Sequence, residues 1–213
     1  MVSLEKTSAE AYYFKPMTTM TKRFDHEVIC GIVEQGSKVL DLGCGNGDLL
    51  LLLAERRGAK AQGVEVNNEA IHVCVEKGLS VFHSDIDSGL PYYPDQSFDY
   101  VILNQSLQEA KKVETVISES LRVGKKVIIG FPNFAHLEAR IRMFFGGRAP
   151  IASSLPYEWY STPNLRFLSI KDFRSFCRIK GYTVLASHFL DSQGQVRVLP
   201  NLFAQNAIFV ITK

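Results

Sequence analysis

Cysteine is scarce in this 213-residue chain and is not grouped: Cys30, Cys44, Cys74 and Cys177 form no Cys-x-x-Cys pair and no Cys/His pair at metal-ligand spacing. That argues against a disulfide framework and against a bound metal, and it fits a reducing cytoplasm. No apolar run approaches the roughly 18 to 20 residues of a membrane span. The opening stretch, MVSLEKTSAEAYYFKP, carries acids where a secretory signal carries an apolar segment, so a soluble, non-secreted protein without a membrane partner is expected. There is no Ser-His-Asp order with a nucleophile elbow, which speaks against hydrolysis or acyl transfer by this chain alone. Internal repeats and low-complexity tracts are also missing, and tryptophan occurs once, at Trp159.

What is present is an ordinary globular composition, 46% hydrophobic and 22% charged. At this length it points to one domain over residues 1–213 with a sizeable core. The net charge of +2 hides an asymmetry: residues 1–110 hold 9 Lys and Arg against 16 Asp and Glu, and residues 111–213 hold 15 against 6. The halves can neutralise each other across one fold, or the second can present an anion-facing surface.

Short β-branched runs alternate with amphipathic stretches, the pattern of β/α units around a mostly parallel sheet. Helices are predicted at 24–35, 48–57, from Asn67 to about Lys77, and at 113–122, 136–145 and 170–180. Strands are predicted at 37–41, 61–66, 79–83, 98–103 and 126–131, followed by a hairpin of 182–190 and 203–212 through the 191–201 loop. Between the last two helices, Pro150, Pro156 and Pro163 break any regular element. The expected architecture is α/β, a Rossmann-like core with a seven-stranded sheet ending in a C-terminal β-hairpin.

The most informative stretch is Asp41-Leu42-Gly43-Cys44-Gly45-Asn46-Gly47-Asp48, a strand end running through a glycine loop into a helix. Such a loop lets backbone approach a ligand at the edge where open α/β sheets bind. The third glycine falls two positions after the second, so the dinucleotide spacing G-x-G-x-x-G is not met. Asp41 and Asp48 would also repel a pyrophosphate at a helix N-terminus. A sulfonium and ammonium ligand, S-adenosylmethionine or its product S-adenosylhomocysteine, suits these acids better than NAD does. Glu65 closes the second strand where an acid can accept from ribose hydroxyls, beside Val66, and Asp85 with Ile86 follows the third strand where adenine would lie. Asn104 ends the fourth strand and, with Gln105, is a candidate for the same pocket. Cofactor-binding candidates are thus Asp41, Gly43, Cys44, Gly45, Gly47, Glu65, Val66, Asp85, Ile86 and Asn104. No catalytic residue is assigned.

These features resemble the class I S-adenosylmethionine-dependent methyltransferase fold. Further blocks resemble a narrower group: Asp85-Ile86-Asp87-Ser88-Gly89-Leu90, the run Phe98 to Gln108, Leu121-Arg122-Val123-Gly124, Phe131-Pro132-Asn133-Phe134, and Leu155 to Asn164. Together they are similar to the methionine biosynthesis protein W (MetW) family. The resemblance implies a bacterial protein working beside homoserine O-acyltransferase, with no established methyl acceptor. Two positions depart from the family pattern: Ser161 stands where Asp is usual before Thr-Pro-Asn, and Asn67 where Asp usually follows the ribose-binding strand.

Methyl transfer mainly requires positioning, so a base need not be conspicuous. The chain reads Asn104-Gln105-Ser106-Leu107 where base N-methyltransferases carry an Asn/Asp-Pro-Pro-aromatic block, which argues against a nucleic-acid substrate. Among the histidines only His136 is expected within range of the site. Residues 144–168, with Trp159 between Tyr157 and Tyr160 and with Arg148 and Arg166 nearby, are expected to form a lid or a docking surface. Three functions are compatible with the whole: a regulatory partner of the acyltransferase that binds the sulfur ligand, a genuine small-molecule methyltransferase, and a nucleotide-dependent oxidoreductase.

Overall fold

The computed structural model describes residues 23–152 and 155–213. Its first helix, α1 (Phe24–Ile32), precedes an alternation of β1 (Lys38–Leu42), α2 (Asp48–Arg57), β2 (Lys60–Glu65), α3 (Asn68–Glu76) and β3 (Ser80–His83). Then come β4 (Phe98–Asn104), α4 (Val113–Val123), β5 (Gly124–Pro132), α5 (Leu137–Gly146), α6 (Ile170–Lys180), β6 (Thr183–Leu190), the short α7 (Pro200–Phe203) and β7 (Asn206–Thr212). The seven strands form one sheet in the order β3-β2-β1-β4-β5-β7-β6. Strands β1 to β5 pair in parallel, and β7 lies antiparallel between β5 and β6. The order reverses between β1 and β4, and such a switch point opens a crevice beyond the strands' carboxyl ends.

Both faces of the central strands are covered, which is why they read as nearly continuous apolar runs rather than alternating ones. Leu40, Leu42, Val101, Leu103, Val127 and Ile129 pack towards α4 and α6. Val39, Tyr100, Ile102 and Ile128 pack against Ile29, Val33, Leu49 and Leu53 of the α1 and α2 side. Each such side chain, fully buried, contributes about 1.5 to 3 kcal/mol of transfer free energy.

Local signals in the sequence set several ends. Asn67 caps α3, its Oδ1 accepting from the Ala70 amide at 3.0 Å. Ser169 and Asp172 form a reciprocal capping box at α6, and Gly181 closes that helix in the left-handed region at φ 72°. Three of the boundaries that differ from the sequence pattern have a visible local cause. Helix α1 stops at Ile32 because Val33 is already extended (φ −70°, ψ 125°). Strand β5 starts at Gly124 with no connecting turn after α4, in a position where a Cβ would lie 2.6 Å from Cγ2 of Val101. The last strand begins at Asn206 rather than at Phe203, because Phe203 ends the helical turn α7, started by Pro200 in the position where a missing amide hydrogen costs nothing.

Much of the stretch between β3 and β4 is held by one side chain. Arg122 of α4 donates to both carboxylate oxygens of Glu119, to Asp95 Oδ1, and to the carbonyl oxygens of Leu90 and Tyr93, all within 2.7 to 2.9 Å. No helix among the described residues is long and apolar enough to cross a membrane.

Candidate functional site

The β1 strand ends at the switch point and turns at once. The amides of Gly43 and Cys44 both donate to the Val64 carbonyl, at 2.8 and 3.2 Å, which folds the loop over the end of β2. A Cβ on Gly43 would stand 2.7 Å from that of Ser106, whose hydroxyl donates to the Leu42 carbonyl at 2.6 Å. Gly45 is different: its φ is +52° and nothing lies within 4 Å of where its Cβ would be. The loop is thus tight against protein at Gly43 and bare towards open space at Gly45. Gly47 lines neither adjacent cavity; it caps α2 and packs against Cys74 and Leu79.

Two cavities meet at this loop and share Gly43, Gly45 and Gln105. The smaller, about 260 Å³, is lined by Asp41, Cys44 and Asn104 and by Arg23, His26 and Asp48. The larger, about 390 Å³, is lined by Glu65, Val66, Asp85 and Ile86 and by Ser106, Glu109 and Lys111. All ten residues singled out from the sequence except Gly47 therefore border one or both cavities.

Glu65 organises the junction. Its Oε2 accepts from the Gly45 amide at 2.8 Å, and its Oε1 accepts from the amides of Val66 and Asn67 at 2.8 and 2.9 Å. Two carboxylate oxygens offer about four acceptor sites, so one remains for a ligand hydroxyl. Asp85 caps the short turn 86–88 through the Asp87 amide at 2.9 Å, using one oxygen. Asp87 in turn accepts from the amides of Lys111 and Lys112 at 2.9 and 2.7 Å, which ties this turn to the start of α4.

The smaller cavity is electrostatically mixed. Asp41 is 3% exposed, and its carboxylate has no hydrogen-bond partner among the described residues. Burial, with the nearby charge of Glu65 adding to it, pushes its pKa up to about 7. Asp25 goes the other way. Burial opposes its ionisation, but two hydrogen bonds from Arg23 (3.1 and 2.9 Å), the Arg23 charge and the Asn104 amide at 2.9 Å hold it down at about 2. The cavity thus has an acid that changes charge near neutral pH on one side and a formed Arg-carboxylate pair on the other. Burial also lowers the pKa of His26. The Cys44 and Cys74 thiols both donate to the Gly45 carbonyl, at 3.8 and 3.1 Å, and burial raises the pKa of each.

Sequence reasoning missed Arg23, Asp25, His26 and Glu109: of the histidines it is His26, not His136, that borders one of the two cavities. His136 caps α5, its Nδ1 accepting from the Glu138 amide at 3.4 Å, and it borders neither cavity. Gln105 was noticed, but not that it sits at φ +61°, an unusual conformation for a side-chain-bearing residue that marks the centre of the site. Among the described residues of 144–168, two backbone hydrogen bonds cross an isolated bridge between Ala152 and Leu155, and the Ser161 amide donates to the Glu158 carbonyl at 3.1 Å. The segment is tied to the site edge where Leu165 and Arg166 donate to the Gln108 carbonyl and the Arg166 guanidinium donates to the Lys111 carbonyl. Trp159 and Tyr160 are 73% and 72% exposed and touch edge to face, so neither packs into the core.

Among the described residues no cluster of three or more His, Cys, Asp or Glu could hold a metal ion. Comparison with solved structures gives the fold its relatives: an S-adenosylmethionine-dependent methyltransferase from Aquifex aeolicus superposes with a TM-score of 0.66 at 16% identity, covering 98% of this chain and all of that one. The seven-stranded sheet with its antiparallel hairpin is thus the class I methyltransferase fold expected from the sequence. A demethylmenaquinone methyltransferase of Anoxybacillus flavithermus is 28% identical over 70% of this chain and 71% of its own length. The bifunctional methionine biosynthesis protein MetXA/MetW of Rhodopirellula baltica is 38% identical over 89% of this chain. The present chain matches only 32% of that longer protein. The model of the family described as methionine biosynthesis protein MetW matches residues 23–211, nearly the whole described chain, and on that match the chain belongs to the MetW family.

Proposed function

We propose that the protein binds S-adenosylmethionine or S-adenosylhomocysteine across the two cavities and acts in methionine biosynthesis as an accessory to homoserine O-acyltransferase. The observation that carries the ligand is the bare glycine backbone at Gly45 between two carboxylate-lined cavities. Glu65 and Asp85 would hold ribose and adenine donors, with Val66 and Ile86 against the base. Asp41 would face the ligand ammonium, and Arg23 stands close by for its carboxylate. None of these residues offers a cradle for a pyrophosphate, and the acids disfavour one. S-adenosylmethionine supplies an electrophilic methyl group, and no side chain here is placed as an obligatory base for it. Titration calorimetry with both sulfur ligands and with NAD tests the reading. Saturable binding of a sulfur ligand and none of NAD is the expected result; no binding of either sulfur ligand at millimolar concentration refutes it.

The partner rests on two supports. The Rhodopirellula relative combines a MetXA and a MetW portion in one chain. The segment 144–168 exposes aromatic residues in a density that solvent alone does not favour, with Phe144 and Phe145 at 82% and 81% and Trp159 and Tyr160 at 73% and 72%. Its exposure makes docking separable from folding. A Trp159→Ala, Tyr160→Ala double variant should keep its thermal stability and lose complex formation with the acyltransferase on size-exclusion chromatography, along with any gain in acylation rate. Retained complex and rate would move the docking surface elsewhere. The second reading, a small-molecule methyltransferase, is favoured by a third and larger cavity beside the first two, and methyl release on a metabolite panel distinguishes it.

A further inference from the structure

A fourth cavity, of about 610 Å³, opens between α4 and α6 and shares only Lys111 with the two ligand cavities. Over a floor of buried Ile117 and Phe173, its walls are Val113, Phe167, Leu168 and Phe176, none of them fully buried. The Phe167 ring is steadied by that of Phe134, centroid to centroid 4.9 Å, and the backbone just before it is tied to the Gln108 carbonyl through the Leu165 and Arg166 amides. An apolar wall held in this way is preformed for a ligand.

The rim carries a surplus of one sign. Lys111, Lys112 and Arg166 line it, and none of the three makes an ion pair among the described residues. The Arg166 guanidinium donates once, to the uncharged Lys111 carbonyl at 2.8 Å. Two acids share the wall, and both are occupied. Glu114 is neutralised by Lys180 at 2.6 Å, and Asp172 gives Oδ2 to the Ser169 amide and hydroxyl in the α6 capping box, with Oδ1 left over. Asp87, outside the wall, accepts from the amides of Lys111 and Lys112 and not from their ammonium groups. With Asp87 counted, three unpaired cations still face two acids. Helix α4 also begins on this rim without a side-chain cap, so its positive end adds to theirs. The three cations belong to the basic half of the chain, residues 111–213, whose excess of Lys and Arg the sulfur-ligand reading does not explain. An ammonium would add one more positive charge here, whereas a negative head would meet charged donors while its frame lay against the rings.

We propose that this cavity is a binding site for a small organic anion, one negative head on an apolar frame, distinct from the sulfur-ligand site. The head lies among Lys111, Lys112 and Arg166, and the frame against Phe167 and Phe176. The probes 4-phenylbutanoate, 4-phenylbutanol and 4-phenylbutylamine share a frame and differ in the charge of the head. Each is titrated into the full chain at low salt by ligand-observed NMR. The carboxylate should bind saturably, the alcohol more weakly and the amine most weakly. Lys112 is exposed and lines this cavity and neither ligand cavity. Lys112→Glu should weaken the carboxylate by about fivefold or more, Lys112→Gln by less, and both should leave the alcohol unchanged. Phe167→Ala, at a half-exposed ring, should weaken carboxylate and alcohol alike. Equal binding of carboxylate and amine, no saturation of the carboxylate, or wild-type affinity for it in Lys112→Glu or Phe167→Ala overturns the proposal. S-adenosylhomocysteine titrated into the wild type reports on the sulfur-ligand reading and leaves this result untouched.

Discussion

The two rims of the crevice are held by opposite means. On the β1–β2–β3 side, carboxylates are drawn inward: Asp41 and Glu65 are buried, and Glu65 and Asp87 spend their oxygens on backbone amides. On the α5 side, aromatic rings are turned outward: Phe144, Phe145, Trp159 and Tyr160 are each more than two-thirds exposed. Both invert the usual partition of polar and apolar groups, and such inversions are the informative ones. On the proposed function, the buried acids would serve a small polar ligand and the exposed rings a macromolecule.

If that contrast is right, the largest effect comes from the inward rim. Gly45→Val puts a β-branched residue at φ +52° and fills the open space above the loop, so S-adenosylhomocysteine affinity should fall below detection in calorimetry while the helix content by circular dichroism is kept. Glu65→Ala should weaken the same ligand by about 1 to 3 kcal/mol and also lower the melting temperature, because three backbone amides lose their acceptor. An unchanged melting temperature would mean that water replaces the carboxylate and the loop is not held by it. Arg122→Ala should destabilise by about 1 to 3 kcal/mol in urea melts, since several backbone and carboxylate acceptors lose one donor.

Asp41 gives a smaller, pH-dependent effect. Its folded pKa, about 7, lies above the ordinary aspartate value, so the folded state holds the proton more tightly than the unfolded chain. The stability it contributes is complete below the ordinary value and is lost as pH rises through about 7. Asp41→Asn should accordingly match wild type near pH 4 and exceed it at pH 8, by about 1 kcal/mol or more, while binding the sulfur ligand less well. A pH-independent difference between the two melting curves would remove Asp41 from the titration. The smallest effect belongs to the outward rim: for Trp159→Ala with Tyr160→Ala, a change in stability within about 0.5 kcal/mol is expected. A larger loss would show that these rings pack against something and that the contrast between the rims is false.

The inward rim was readable from the sequence because its parts are short-range. A glycine loop, an acid 20 residues beyond Gly45, and the Asp85-Ile86 pair each follow a strand end, and strand ends of one parallel sheet converge. Arg23, Asp25 and Glu109 carry no such mark. Asp25 meets Asn104 across 79 positions, and Gln105 meets Asn206 across 101, so only the completed fold brings them to one mouth. The fifth strand is expected from Lys126 but begins at Gly124, because α4 passes straight into β5 with no turn between them. The aromatic run at 157–160 was visible as composition, yet whether it packs or projects is decided by neighbours distant in sequence.

The thiols under the glycine loop bear on chemical durability. Cys44 borders the cavity that would receive a sulfonium ligand, and such a ligand is an alkylating agent towards any soft nucleophile. A thiolate there would be consumed by its own cargo. Burial, reinforced by Asp41, keeps Cys44 protonated far above neutral pH, and a protonated thiol is a poor nucleophile. On the proposed binding mode, the same acids that would face the cation would protect the protein from being methylated by it.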